Sequence, residues 1–131
     1  MNRFVTTTGR TILMTVTCVA VLLAAGCGKP SATRLAETMV DSMAKGDFAS
    51  ATKDFDATMN AVLPAEKLGQ SWAQVTAFAG AFKSRTESRE AQEAGFQTVH
   101  VICRFEKSPI DIKVVFDKDG RVGGLWMNPT Q

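Results

Sequence analysis

The sequence has no tyrosine, one histidine, three cysteines and four prolines among its 131 residues. With no tyrosine there is no phenolic donor for an oxyanion. One histidine and three cysteines are too few for a Cys/His zinc cluster, and they exclude a multi-disulfide scaffold. No apolar run is long enough to cross a bilayer: Ile12 to Ala25 spans 14 residues, where a transmembrane helix needs about 20. An excess of one charge is lacking too. Lys and Arg total 15 against 13 Asp and Glu. Arg3 and Arg10 fall in the first 26 residues, which hold no acid, so the remainder carries 13 of each sign. A neutral body has no electrostatic footprint for nucleic acid. What is present, 45% apolar and 21% charged residues, reads as one globular domain, neither disordered nor collagenous.

Residues 1–26 read as an export signal. Arg3 and Arg10 form a positive n-region, Ile12 to Ala25 a short h-region, and small residues follow. The sequence Leu23-Ala24-Ala25-Gly26-Cys27 resembles the lipobox of bacterial lipoproteins, in which the Cys becomes lipid-modified and N-terminal. The usual Leu three residues before the Cys is here Ala24, with Leu23 one further back. The resemblance implies cleavage before Cys27, a lipid on Cys27, and an extracytoplasmic place on the cell membrane or outer membrane. Cys18 would leave with the signal. Cys103 would then be the one thiol of the mature domain, and no intramolecular disulfide is expected.

Residues 27–32 read as a tether and 33–131 as one domain. Ser31 or Thr33 can cap a helix carrying Ala36, Met39, Val40 and Met43 on one face. Asp47 caps a second, with Phe48, Ala51, Phe55, Met59 and Val62 on its face. Pro64 suits the first turn of a third, whose stripe is Leu68, Trp72, Val75 and Ala79. After Phe82 the period changes to two. Lys83–Glu93, Val99–Phe105, Ile110–Phe116 and Val122–Met127 predict a four-stranded antiparallel meander with turns at Ala94-Gly95 and Lys118-Asp119-Gly120. The fold class is α+β, three helices packed on one face of the sheet.

A two-residue loop at Lys107-Ser108 sets Phe105 opposite Ile110 and Arg104 opposite Asp111, a cross-strand ion pair. A three-residue last loop sets Phe116 opposite Val122 and Ile112 opposite Trp126. In this register the face away from the helices displays His100, Ile102, Val115, Leu125 and Met127, a candidate interface for self-pairing or another envelope protein.

The order of Gly46-Asp47-Phe48, Leu63-Pro64-Ala65-Glu66-Lys67-Leu68 before Trp72, Gly80-Ala81-Phe82-Lys83, and Phe116-Asp117-Lys118-Asp119-Gly120-Arg121-Val122-Gly123-Gly124-Leu125-Trp126 before Pro129 resembles a bacterial domain family of unknown function in the nuclear-transport-factor-2-like, cystatin-like cone superfamily. The resemblance covers about residues 34–129. It implies a curved sheet wrapped around helices and a cavity. Members often precede an α/β-hydrolase domain, so a separately encoded hydrolase is one partner the resemblance suggests. The superfamily holds enzymes, binders and dimerisation modules, so the fold selects no function.

Motifs of chemistry are few. Gly69-Gln70-Ser71-Trp72-Ala73 lacks the strand that a nucleophile elbow needs before its Ser. His100 and Cys103 are three apart in one strand and project to opposite faces, so they form no dyad. Asp117 and Asp119 beside Gly120 read as a hairpin turn, without the further ligands of a calcium loop. No metal or cofactor is expected. The helix-facing side of the first strand reads as Phe82, Ser84, Thr86, Ser88 and Glu90. As an edge strand it needs no function. If it lines a cone, Trp72, Ser84, Thr86, Ser88, Glu90 and Trp126 are the candidate pocket residues. Two functional readings follow. The first is a non-catalytic ligand-binding or protein-interaction module on a lipid anchor. The alternative is a cofactor-independent isomerase, dehydratase or hydrolase accessory with Glu90 as general base.

Overall fold

The computed structural model describes residues 28–130, so the export segment and Cys27 lie outside the described residues. Ser31, of the two candidate caps, starts α1 (Ala32–Ala44), accepting from the Arg34 N–H at 3.2 Å. Its buried residues are Ala36, Met39, Val40 and Met43, the single stripe that a 3.6-residue period requires.

The helix expected from Asp47 to Val62 is two helices, α2 (Phe48–Ala51) and α3 (Ala57–Val62). Between them a turn over Thr52–Asp54 brings Phe55 into a bridge with Val122 of the sheet. The Val122 N–H donates to the Asp54 carbonyl and the Asp56 N–H to the Val122 carbonyl, both at 2.9 Å. Asp56 then caps α3, its Oδ1 accepting from the Met59 N–H at 2.7 Å. The break keeps Phe55 and Met59 buried but leaves Val62 59% exposed, off the face assigned to it. Helix α4 (Ala65–Ala79) follows Pro64 and buries Leu68, Trp72 and Ala79.

Strands β1 (Phe82–Glu93), β2 (Phe96–Phe105), β3 (Pro109–Phe116) and β4 (Val122–Pro129) form an antiparallel meander in chain order. The result is α+β, a curved sheet with helices against one face, compatible with a cone fold. Val99, Val101, Cys103, Ile112 and Val114 from the sheet meet Ala36, Val40, Met43 and Leu68 from the helices, and all of them have zero accessible area. A side chain with no accessible area borders no space that could hold a water, so this part of the interior is filled. Trp72, Phe82 and Phe105 close its end, with ring centroids 5.5 to 6.0 Å apart in tilted and edge-on arrangements.

Both predicted registers at β3 change. Cys103, not Phe105, lies opposite Ile110, and Arg104 faces Pro109, so the Arg104–Asp111 pair does not form. The loop runs over Glu106–Ser108, and its backbone bonds elsewhere: the Glu106 N–H donates to the Ala81 carbonyl at 2.9 Å and the Lys107 N–H to the Ala79 carbonyl at 2.7 Å. The shift is even, so every side chain keeps its face. The second change is odd. Phe116 does pair with Val122, but Val115 pairs with Gly124, leaving Gly123 as a bulge. From there Trp126 lies opposite Lys113 and Met127 opposite Ile112. Trp126 therefore turns outward, 50% exposed, while Leu125 and Met127 pack against the core.

The β1–β2 turn forms at Ala94-Gly95, and both residues have positive φ, 50° and 82°. A Cβ in the left-handed region costs roughly 1–2 kcal/mol, and Asn bears it better. Ala94→Asn is expected to stabilise the domain by about 0.5–1 kcal/mol. Urea titration checks this, with no gain counting against the turn geometry.

Candidate functional site

The polar side of β1 is tied to α1, and of its candidate residues Glu90 also lines a hollow of about 240 Å³ with Ala91, Gln92 and Gln97. Two register irregularities interrupt the strand, between Phe82 and Ser84 and between Arg85 and Glu87. Each adds a residue and reverses the alternation. Opposite the inward residues Phe105, Cys103, Val101 and Val99 therefore stand Phe82, Arg85, Ser88 and Glu90. Ser84 pairs with the outward Arg104, and the Thr86 hydroxyl donates to the Ile102 carbonyl at 3.1 Å. Neither lies on the helix-facing side where alternation set them. Arg85, not singled out from the sequence, takes their place. Its guanidinium grips Asp41 of α1 with two bonds of 2.7 and 3.1 Å and reaches Glu37 at 3.1 Å. The Asp41 carboxylate, first among these partners, holds the Arg85 pKa above its ordinary value. The Ser88 hydroxyl donates to Glu37 at 2.7 Å, and the Thr33 hydroxyl donates to Glu90. These groups staple the edge strand to α1. Trp72 sits in the aromatic core cluster.

Cys103 is fully buried, and burial pushes its thiol pKa up to about 12. A thiol so held is no nucleophile at neutral pH. His100 projects to the opposite face.

That outer face carries charge where an apolar patch was expected. His100, Ile102 and Val115 are on it, half-buried, but the β4 bulge has taken Leu125 and Met127 away and brought in Trp126. Around His100 a four-residue network joins three strands. Its Nδ1 lies 2.8 Å from Asp111 Oδ2 of β3, and its Nε2 lies 2.8 Å from Glu93 Oε1 of β1. Glu93 also accepts from Lys113 Nζ, which stands 5.8 Å from the centroid of the Trp126 ring, within cation–π range. Asp111 Oδ1 is buried without a partner.

A neutral imidazole has one N–H, so one of its nitrogens would face a carboxylate oxygen lone pair to lone pair. The imidazolium donates to both carboxylates. The hydrogen bond to Glu93 accordingly raises the His100 pKa above 6.5, with Asp111 adding to it against partial burial. Lys113, then His100, lowers the pKa of Glu93.

Beside the network a pocket of about 420 Å³ opens between the β1–β2 turn and the start of β4. Thr98 and Val115 line it, with Glu93 and Lys113 from the network and Trp126 and Phe96 among its aromatic side chains. Phe96 is 51% exposed. The Thr98 side chain is wholly buried, and its hydroxyl has no partner. Trp126 folds back over Gly124: a Cβ there would stand 2.5 Å from two indole carbons, so glycine makes room for the ring. A second hollow, about 410 Å³, lies between α4 and β4, and Ser71, Phe78 and Trp126 line it. Among the described residues no group of three or more His, Cys, Asp or Glu is placed to hold a metal ion, and no helix is long and apolar enough to cross a membrane.

The His100 network sets a pH window. A raised His pKa contributes stability that is full below about 6.5, the unfolded value, and is lost as pH rises through the folded one. The lowered Glu93 pKa contributes stability present above its unfolded value and lost as pH falls through the folded one. Stability should therefore decline as pH rises above 6.5. His100→Gln should flatten that decline. Urea titrations of both proteins across this range are the measurement, and an unchanged slope in the variant would contradict the assignment.

The chain matches no curated protein and no solved structure. A family model does match, over residues 36–125, from within α1 to Leu125 of β4. The chain belongs to this family, described as proteins of unknown function (DUF3887).

Proposed function

We propose that the chain is an exported lipoprotein, anchored in the cell membrane or outer membrane by a lipid on Cys27, whose domain is a non-catalytic interaction module of the nuclear-transport-factor-2-like superfamily. It works through the outer face of its sheet. One observation carries this reading. The middle of the helix-facing side is filled, whereas the outer face holds an open pocket flanked by a half-exposed Trp126. Buried aromatic anchors dominate binding interfaces, and an indole left in water beside a pocket is poised to be covered. The anchor rests on the n-region, h-region and Cys27 of the sequence. Catalysis by Glu90 has less support, because that carboxylate is exposed and engaged with Thr33. The partner on this reading is an envelope protein or a second copy of the chain.

Labelling cells with a fatty-acid analogue tests the anchor: wild-type protein should be labelled and Cys27→Ser unlabelled and released from membranes. A photoreactive residue at position 126 tests the face. It should crosslink in the membrane, to a partner or to a second copy, and one at Ser88 should not. An unlabelled wild type overturns the anchor, and the reverse crosslinking pattern overturns the face.

A further inference from the structure

The two edges of the sheet are closed differently. Along β1, Lys83, Arg85, Glu87, Arg89, Glu90 and Glu93 are charged, two irregularities bend the strand, and ion pairs fasten it to α1. Charges, bulges and cover are what keep an edge strand from pairing with another chain. The other edge, β4, has no charged residue from Val122 to Pro129. The charges of β3, Asp111 and Lys113, stand one strand back and are engaged with His100 and Glu93.

The backbone of β4 is open on its free side over a short window. The Thr130 N–H donates to the Pro109 carbonyl at 3.2 Å, so these opposite residues form a bonded pair. Opposite pairs in an antiparallel ladder alternate between bonded and non-bonded. Counting back along the register, Asn128, Trp126 and Gly124 bond to β3, and Leu125 and Met127 turn their N–H and C=O groups away from it. Val122, turned the same way, spends both groups on Asp54 and Asp56. Among the described residues nothing does this for Leu125 or Met127. The window is bounded by the bridge at Val122 and by Pro129, which has no N–H to give.

This edge complements itself. When β4 pairs antiparallel with a second β4 about a two-fold axis at Trp126, Leu125 of each copy stands opposite Met127 of the other. Every outward N–H and C=O group of the two residues then has a partner. Val122 falls opposite Thr130, so the pairing runs out where the 54–56 segment begins. Trp126 meets its own copy at a non-bonded position, where side chains across a pair come closest and aromatic pairs are favourable. The half-exposed indole is thereby covered. On the other face Leu125 and Met127 line a hollow of about 410 Å³ with Val75 and Phe78 of α4, and Phe78 is 64% exposed. A second β4 brings the same two aliphatic side chains to that rim. No charge meets a like charge across the pair.

We infer that two copies of the chain pair through β4 in this register, joining their four-stranded sheets into one continuous sheet. A two-fold contact of this kind uses the same patch on both copies. The inference rests on the Trp126 side of the sheet being the working surface and names the second copy as what covers it.

Two measurements on the full chain test this pairing. In membranes, Trp126→Cys should give a disulfide-linked dimer on oxidation, because Cα atoms of a non-bonded antiparallel pair lie about 4.5 Å apart, within the span of a disulfide. Wild type, with Cys103 buried, and Arg89→Cys on the exposed side of β1 should give none. In non-ionic detergent with micelles in excess, density-matched sedimentation should give wild type the mass of two chains. Trp126→Lys and Trp126→Glu should each sediment as one chain, since like charges then stand directly opposite. Mixing the two variants should restore the pair, which proteins that had merely lost their fold would not do. A wild-type mass of one chain overturns the self-pairing, and crosslinking at position 126 to a different protein would still leave the outer face in use. A two-chain mass kept by both charge variants, with no disulfide at position 126, overturns the β4 pairing and moves the contact elsewhere.

Discussion

A single extra residue in β4 governs what this domain presents to its surroundings. Strand side chains alternate with period two, so one inserted residue exchanges the two faces of everything beyond it. Gly123 is that residue. Without it Trp126 would pack under the helices opposite Ile112, and Leu125 and Met127 would lie bare on the far side. With it the two aliphatic side chains join the core, and the indole crosses to the face of His100 and Lys113. The glycine pair suits both demands. Gly123 takes the bulge beside Asp56, and Gly124 leaves room for the indole to fold back.

The same device appears twice in β1 with a different consequence. Its two irregularities rotate Arg85 inward and Ser84 outward, so that the edge strand meets α1 through charge and hydroxyl groups. The helix-facing side is consequently spent on structure. Apolar side chains fill its middle, the Trp72 cluster closes one end, and the Arg85 ion pairs hold the edge. The proposed function lies on the opposite side, where His100 ties β1, β2 and β3 together next to an open pocket. The network holds the pocket wall in place and supplies part of its charge.

Much of this was legible in the sequence. The α1 stripe, the change from helical to alternating period, the Ala94-Gly95 turn and the opposite faces of His100 and Cys103 all follow from local rules. The β2–β3 loop length could be misjudged without harm to the faces, because the error was even. What alternation could not supply was the bulges, since each is accompanied by long-range contacts: Gly123 by the 54–56 segment that bonds to Val122, and the β1 irregularities by the ion pairs of Arg85 with Asp41 and Glu37. The break between α2 and α3 has the same origin. Gly123-Gly124 in a strand was the available signal, because a glycine inside a strand often marks a bulge. Asp111, expected opposite Arg104, stands opposite Ile102 in the true β2–β3 register and so reaches His100.

The central claim is that Trp126 faces solvent while Trp72 is buried, and collisional quenching reads it directly. The chain has two tryptophans, so iodide acting on the folded full chain should resolve two populations, one open and one shielded. Trp126→Phe should remove the open one and leave the shielded one. Uniform shielding in the wild type would place Trp126 under the helices, restore the unbulged register, and contradict the account of the outer face.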